Sequence, residues 1–179
     1  MAMRSSSREE ILNAALRVVD ASGGADITYQ SVATEAGLTK AGLMYHFPSK
    51  DAMMVAVIEH VIARWQAELQ DALSVPLDES TLEQRVDAFV RFASEGGVTA
   101  GEFVVFSEAV RRPDLSQPWL DYLHTWFDFD ARDSTGLLLV WLATNGLWIA
   151  ESTGIITLDA DRRADLVGRL LALIERNPS

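Results

Sequence analysis

The chain has 179 residues, 49% of them hydrophobic, and a formal net charge of −11, so it can bury a substantial core. It has no cysteine, which excludes a disulfide framework and a thiolate metal site. Residues 1–8 carry no apolar segment, and the most apolar run, 137–149, is short and holds Thr144 and Asn145; neither a secretory signal nor a membrane span is expected, and the expectation is a cytoplasmic protein.

The first predicted element is an amphipathic helix over 8–22, with Ile11, Ala15 and Val18 on one face and Leu12, Leu16 and Val19 beside it. Gly23 and Gly24 end it. A second helix follows over 30–36, with Thr28 placed to cap it and Val32, Ala33 and Ala36 on its apolar side. Gly37 falls where a helix C-terminus takes a left-handed residue, and Leu38 is expected to plug the corner. Thr39 is then a good N-cap for a third helix, 40–47. Leu43 and Phe47, four apart, face inward, leaving Lys40, Ala41, Met44, Tyr45 and His46 outward.

A helix, a tight turn and an exposed second helix with small residues near its start is the pattern of a helix-turn-helix that enters the DNA major groove. Lys40 is placed to reach a guanine edge or a phosphate. Ala41 and Gly42 permit close approach, and Ala41 is available to a thymine methyl. Met44 either reads a base methyl or packs on the preceding helix. Thr39 is a phosphate contact as well as a cap.

Pro48 to Asp51 stops that helix and starts another, with Ser49 as N-cap and Asp51 in the first turn. Residues 50–73 read as one long helix carrying Met53, Met54, Val57, Val61, Trp65 and Leu69. Ser80 to Glu83 and Thr99 to Glu102 fit capping boxes that start helices near 81–94 and 100–111. Arg112-Pro113 and Gln117-Pro118 are expected to bracket a turn, followed by helices over 119–130, 133–152 and 161–176. The predicted fold is all-α. The three histidines, His46, His60 and His124, have no metal-like or triad-like spacing, so no enzyme site, metal or cofactor is expected.

Charge is divided unevenly. Residues 1–50 carry five basic and five acidic side chains and are neutral, whereas 51–179 carry ten basic and 21 acidic and hold the whole −11. Attraction to phosphate decays over about a Debye length, ~8 Å at physiological salt, so the distant acid does not forbid DNA binding.

Taken together, Ile11-Leu12, Ala14-Ala15, Gly23, Thr28, Val32-Ala33, Ala36 to Lys40, Leu43, Tyr45-His46-Phe47 and Ser49-Lys50 closely resemble the TetR family of one-component transcriptional regulators. The match covers about the first third of the chain. It implies an all-helical homodimer that represses by binding a palindromic operator of double-stranded DNA. Each subunit would have a helix-turn-helix DNA-binding head, residues 1–50, joined by the long helix to a ligand-binding and dimerisation body, residues 51–179. In the family pattern the positions of Thr28, Tyr45, His46 and Lys50 contact phosphates.

The body carries two further signals. Gly136, Ala143, Gly146 and Ala150 make a small-residue strip on an otherwise apolar helix, and the last helix offers Leu166, Leu170 and Leu173 beside Val167, Leu171 and Ile174. In TetR-like proteins the last two long helices of each subunit pair into a four-helix bundle, which implies dimerisation here; the alternative is that both stripes fill one subunit's core. All five tryptophans also lie after the head, with Glu102, Glu108, Asp121, Asp128, Asp130 and Glu151 interleaved among the rings. Such rings either fill a core or line a cavity, and carboxylates beside aromatic faces would favour a cation.

The stretches around His124 to Trp126, Leu142 to Leu147 and Leu173-Ile174 resemble the multidrug-responsive members of actinobacteria. That resemblance implies a pocket for a small hydrophobic, cationic drug-like ligand, lined by Phe89, Phe92, Phe103, Phe106, Trp126, Trp141, Asn145 and Trp148. A fatty-acyl or other uncharged metabolite is the alternative ligand. A helical protein-interaction module is the alternative function, favoured by the neutral head.

Overall fold

A computed structural model describes residues 7–22, 27–95, 99–129 and 134–176. Within them the chain forms helices α1 (Ser7–Ser22), α2 (Tyr29–Glu35), α3 (Lys40–His46), α4 (Lys50–Ala72), α5 (Leu82–Ser94), α6 (Ala100–Arg111), α7 (Pro113–Trp126), α8 (Thr135–Ser152) and α9 (Ala160–Glu175), with a short 3₁₀ turn at Leu77–Glu79. The described residues contain no strand. They fall into two compact units, 1–63 with 99–119, and 64–98 with 120–179. Helices α4 and α7 each give residues to both.

The core of the first unit is built from the apolar periodicity of α1 to α4. Ile11, Ala14, Ala15 and Val19 of α1, Val32 and Ala33 of α2, Leu43 of α3, Phe47, and Met53, Val57 and Val61 of α4 are all buried. Burying the larger of these side chains, the Val, Leu, Ile, Met and Phe, stabilises by about 1.5–3 kcal/mol each. Helix α1 also packs on α6. Their approach is close at Gly101, where a Cβ would collide with the Asp20 carboxylate.

In the second unit α5 packs on both α8 and α9, which also pack on each other. Val86, Phe89, Val90 and Phe92 of α5 meet a core that includes Leu137, Val140 and Trp148 of α8 and Ile174 of α9.

Four expectations are corrected. The capping box of α5 is Thr81 with Gln84, one residue beyond Ser80 and Glu83; the Ser80 hydroxyl instead donates to the Leu77 carbonyl at 2.6 Å. The turn expected between Arg112 and Pro118 is helical. Pro113 opens α7, where a missing N–H costs nothing, and Pro118 lies inside it, giving up one bond near the start. Helix α7 accordingly begins six residues earlier than expected and stops at Trp126. Leu38 stays 36% exposed and does not plug the corner. Gly23, Gly24 and Asp130 lie outside the described residues. Among those described, no helix is long and apolar enough to cross a membrane.

Candidate nucleic-acid interface and ligand site

Four local devices aim α3. The Thr28 hydroxyl accepts from the Ser31 N–H at 3.0 Å, and Ser31 Oγ accepts from the Thr28 N–H at 3.0 Å, which closes a capping box on α2. At the other end of α2 the Leu38 N–H reaches the Ala33 carbonyl at 2.8 Å and the Gly37 N–H reaches Thr34 at 3.1 Å. This is a Schellman turn, and Gly37 takes the required left-handed conformation at φ 66°. The corner is therefore closed by Leu38's backbone. Thr39 Oγ1 accepts from the Gly42 N–H at 3.0 Å and starts α3, and Ser49 Oγ accepts from the Ala52 N–H at 3.0 Å and starts α4.

Longer-range contacts then fix α3 on its supports. Leu43 and Phe47 are buried beneath it. The Tyr29 hydroxyl donates to the Phe47 carbonyl at 2.5 Å, tying the start of α2 to the end of α3. The Arg8 guanidinium lies 5.2 Å from the centre of the Phe47 ring, a cation–π contact. Arg17 of α1 pairs with Glu35 of α2 at 2.7 Å. The inward Leu43 and Phe47 are legible in the sequence pattern; the three pairings of Tyr29, Arg8 and Arg17 are not, since each joins residues far apart in the chain.

The supports leave one face of α3 open. Tyr45 is 87% exposed and Met44 48%. Thr28, Thr39, Lys40, Ala41 and Lys50 are exposed as well, and Gly42 and His46 half-buried. Met44 lies with the outward residues. All nine candidate DNA contacts thus belong to the first unit, six of them on α3 and Thr28, Thr39 and Lys50 at the starts of α2, α3 and α4. At the far end of α6, Arg112 donates to Asp51 at 2.8 Å and to Asp114 at 2.5 Å. Its hydrogen bond, reinforced by its charge and that of Lys50, holds the Asp51 carboxyl below its ordinary range, while the two acids raise the Arg112 pKa.

The candidate ligand residues divide between the units. Phe89, Phe92, Trp126, Trp141, Asn145 and Trp148 lie in the second; Phe103 and Phe106 lie in the first, where Phe106 meets Trp119 edge-on at 5.3 Å. In the second unit the rings touch one another. Phe89 stacks on Trp141 at 6.1 Å and meets Phe127 at 5.4 Å. Trp65 meets both Phe92 and Trp148 at 6.0 Å. Trp65, Tyr122 and Phe127 belong to the cluster although the sequence did not single them out as ligand contacts. Asn145 is half-buried, and its Nδ2 donates back to the Trp141 carbonyl at 2.8 Å.

Among the described residues, three of the interleaved carboxylates are engaged by the protein and two are exposed. Glu102 closes the Thr99 capping box, Glu108 pairs with Arg111 at 3.3 Å, and Glu151 pairs with Arg163 at 3.0 Å. Asp121 and Asp128 are exposed. No group of three metal-ligating side chains occurs among the described residues.

Residues 11–57 match the family model for bacterial regulatory proteins of the tetR family, and residues 83–175 match that for the tetracyclin repressor-like C-terminal domain. The chain belongs to the TetR family. Members of this family are DNA-binding transcriptional regulators and not enzymes. A similar curated protein is the HTH-type transcriptional regulator RutR of Escherichia coli (strain K12), 35% identical over 66 residues, which are 37% of this chain and 31% of RutR. The chain therefore spans about a third of the length of that relative.

Among solved structures, the multidrug binding protein EbrR complexed with imidazole has a TM-score of 0.65 at 24% identity, over 93% of this chain and 96% of that one. The fatty acid degradation regulator FadR from Bacillus halodurans has a TM-score of 0.66 at 12% identity, over 97% and 96%. At such identities the likeness is one of fold.

Proposed function

We propose that the chain is a cytoplasmic, ligand-responsive repressor that binds a palindromic operator as a homodimer and leaves it when a small hydrophobic molecule enters the body. The observation that carries the DNA-binding half is the open face of α3. A helix capped at its start, pinned at its end and seated on Leu43 and Phe47 has no internal use for an 87%-exposed tyrosine beside lysine, alanine and methionine. Those residue types suit a major groove, with Thr28, Thr39, Tyr45, His46 and Lys50 on phosphates and Lys40, Ala41, Gly42 and Met44 towards bases. In this reading residues 1–50 are the head and 51–179 the body.

Dimerisation is supported by α8. Its Leu139 is 59% and its Leu142 52% exposed, with Ala143 and Gly146 open beside them. This apolar face of a single chain fits a second copy of itself, brought close by the small residues, with Leu166 of α9 exposed as well.

Ligand control follows from two head spacings. Heads about one DNA turn apart, ~34–36 Å, occupy both half-sites. A ligand releases DNA only if it favours the other spacing, because equal affinity for both states shifts nothing. Helix α4 runs from Lys50 to Ala72 and carries Trp65 into the ring cluster, which makes it the proposed link. The fold serves a multidrug binding protein and a fatty acid regulator alike; the cluster's many flat rings favour a planar aromatic guest over an acyl chain.

Fluorescence anisotropy of labelled DNA from the gene's own upstream region tests the proposal. Saturable, sequence-selective binding reversed by one class in a panel of aromatic and acyl compounds is the expected result. Absence of selective binding, at low salt and after selection from random DNA, contradicts it.

A further inference from the structure

The ring cluster of the second unit carries more information about its guest than shape. Among the described residues of this unit no carboxylate, lysine or arginine is buried as a whole side chain, although Arg64 Nε and Glu83 Oε2 are individually shielded from solvent. A charged guest drawn among the rings would lose its hydration without meeting an opposite charge, and that penalty is large.

Uncompensated donors, in contrast, are present. Trp126 is 1% exposed and its Nε1 meets no hydrogen-bond acceptor among the described residues; neither does the buried Nε1 of Trp141. Buried polar groups nearly always find partners, and an N–H without one is costly enough to call for an explanation. Two buried hydroxyls at α8 are satisfied, since Thr144 donates to the Val140 carbonyl at 2.9 Å and Ser134 to the Phe129 carbonyl at 2.8 Å.

The two indoles are also neighbours of one ring. Phe127 lies 6.4 Å from Trp126 and 5.8 Å from Trp141. Parting the rings around Phe127 would open a slot with flat apolar walls, bordered by two indoles whose N–H groups are buried and unpaired. We infer that the guest of this cluster is an uncharged planar molecule bearing a hydrogen-bond acceptor, such as an aryl ketone or quinone, held by the indole N–H groups of Trp126 and Trp141. This rests on the reading of the chain as a ligand-released repressor and names the chemistry of its ligand; it departs from the cationic guest that the sequence alone suggests.

Three probes of like size separate the possibilities: fluorenone, which is neutral with an acceptor; fluorene, neutral without one; and N-methylacridinium, a cation. Binding to the full chain is measured by calorimetry, and release of DNA by anisotropy in parallel. Fluorenone is expected to bind about a hundredfold more tightly than fluorene, the scale of two well-made hydrogen bonds at about tenfold each, and more tightly than the acridinium. Trp126→Phe and Trp141→Phe keep a ring but remove the N–H. Each should lower fluorenone affinity about tenfold and leave fluorene affinity within twofold.

Tightest binding by the acridinium, equal loss of both neutral probes, or no binding by any of the three overturns the inference. Probes that bind in the expected order without releasing DNA uphold it and overturn the ligand-release reading instead. If either variant melts far below the parent chain, the fluorenone-to-fluorene ratio on the parent decides alone.

Discussion

Replacing Gly37 by alanine isolates a single physical term. The residue sits at φ 66°, and a Cβ built there meets nothing within 4 Å, so no clash contributes. What remains is the cost of a left-handed backbone for an L-residue, roughly 1–2 kcal/mol, offset by the smaller entropy of alanine in the unfolded chain, roughly 0.4–1 kcal/mol. The net loss should be about 1 kcal/mol, which for a chain of this size lowers Tm by about 2–4 °C. Gly37→Asn should lose about half as much, because asparagine tolerates this region. Gly154 provides the control: at φ 69° with an equally empty Cβ position, Gly154→Ala should cost the same.

The assay is urea unfolding of the four proteins at one concentration, reading the midpoint at constant slope. DNA affinity measured well below Tm should stay within twofold, since the Schellman bonds are backbone bonds that alanine retains. A loss above about 3 kcal/mol for Gly37→Ala, with none at Gly154, would mean that the corner is held by something other than its dihedral angles. No loss at either site would refute the reasoning outright.

Three further outcomes are expected. Tyr45→Ala should weaken binding to every operator variant alike, whereas Lys40→Ala should also relax preference at one base position by about 1–3 kcal/mol; competition anisotropy over a variant set distinguishes them, and identical profiles would contradict the division of roles. Asp51, whose pKa is lowered chiefly by its hydrogen bond from Arg112, stabilises the folded chain above the unfolded carboxylate pKa, ~3.9, and that stability is lost as pH falls through the lower folded value. Asp51→Asn should therefore lower Tm by a constant amount near neutrality and by nothing at the acid end; a difference that persists there refutes the pairing. Leu142→Glu places a charge on the exposed α8 face and should convert dimer to monomer in sedimentation analysis, with loss of operator binding; an unchanged dimer would move the interface elsewhere.

The parts of this architecture legible in the sequence are those specified locally. Thr28, Gly37, Thr39 and Ser49 each cap through a partner within five residues, and Leu43 and Phe47 lie one turn apart, so the helix-turn-helix is written in local sequence. The long α4 follows from its unbroken apolar period.

Ambiguity entered where two local rules competed. Ser80-x-x-Glu83 and Thr81-x-x-Gln84 both satisfy the capping pattern, and the choice falls to Thr81, with the Ser80 hydroxyl bonded to the Leu77 carbonyl. Pro118 reads as a breaker, yet near the start of α7 it forfeits a single bond. What no local pattern contains is pairing at a distance: Tyr29 with Phe47, Arg112 with Asp51, or Arg163 with the Ser94 carbonyl. The ring cluster suffered most from this, because spacing along a helix could place Trp141 and Trp148 but not the Trp65 and Phe127 rings beside them.

Selection of the purified chain against random-sequence DNA tests the central claim most directly. The account predicts enrichment of one twofold-symmetric sequence, with half-sites about one helical turn or a multiple apart, and loss of that enrichment in Tyr45→Ala. Recovery of no preferred sequence, or of a sequence that Tyr45→Ala selects equally well, would contradict it.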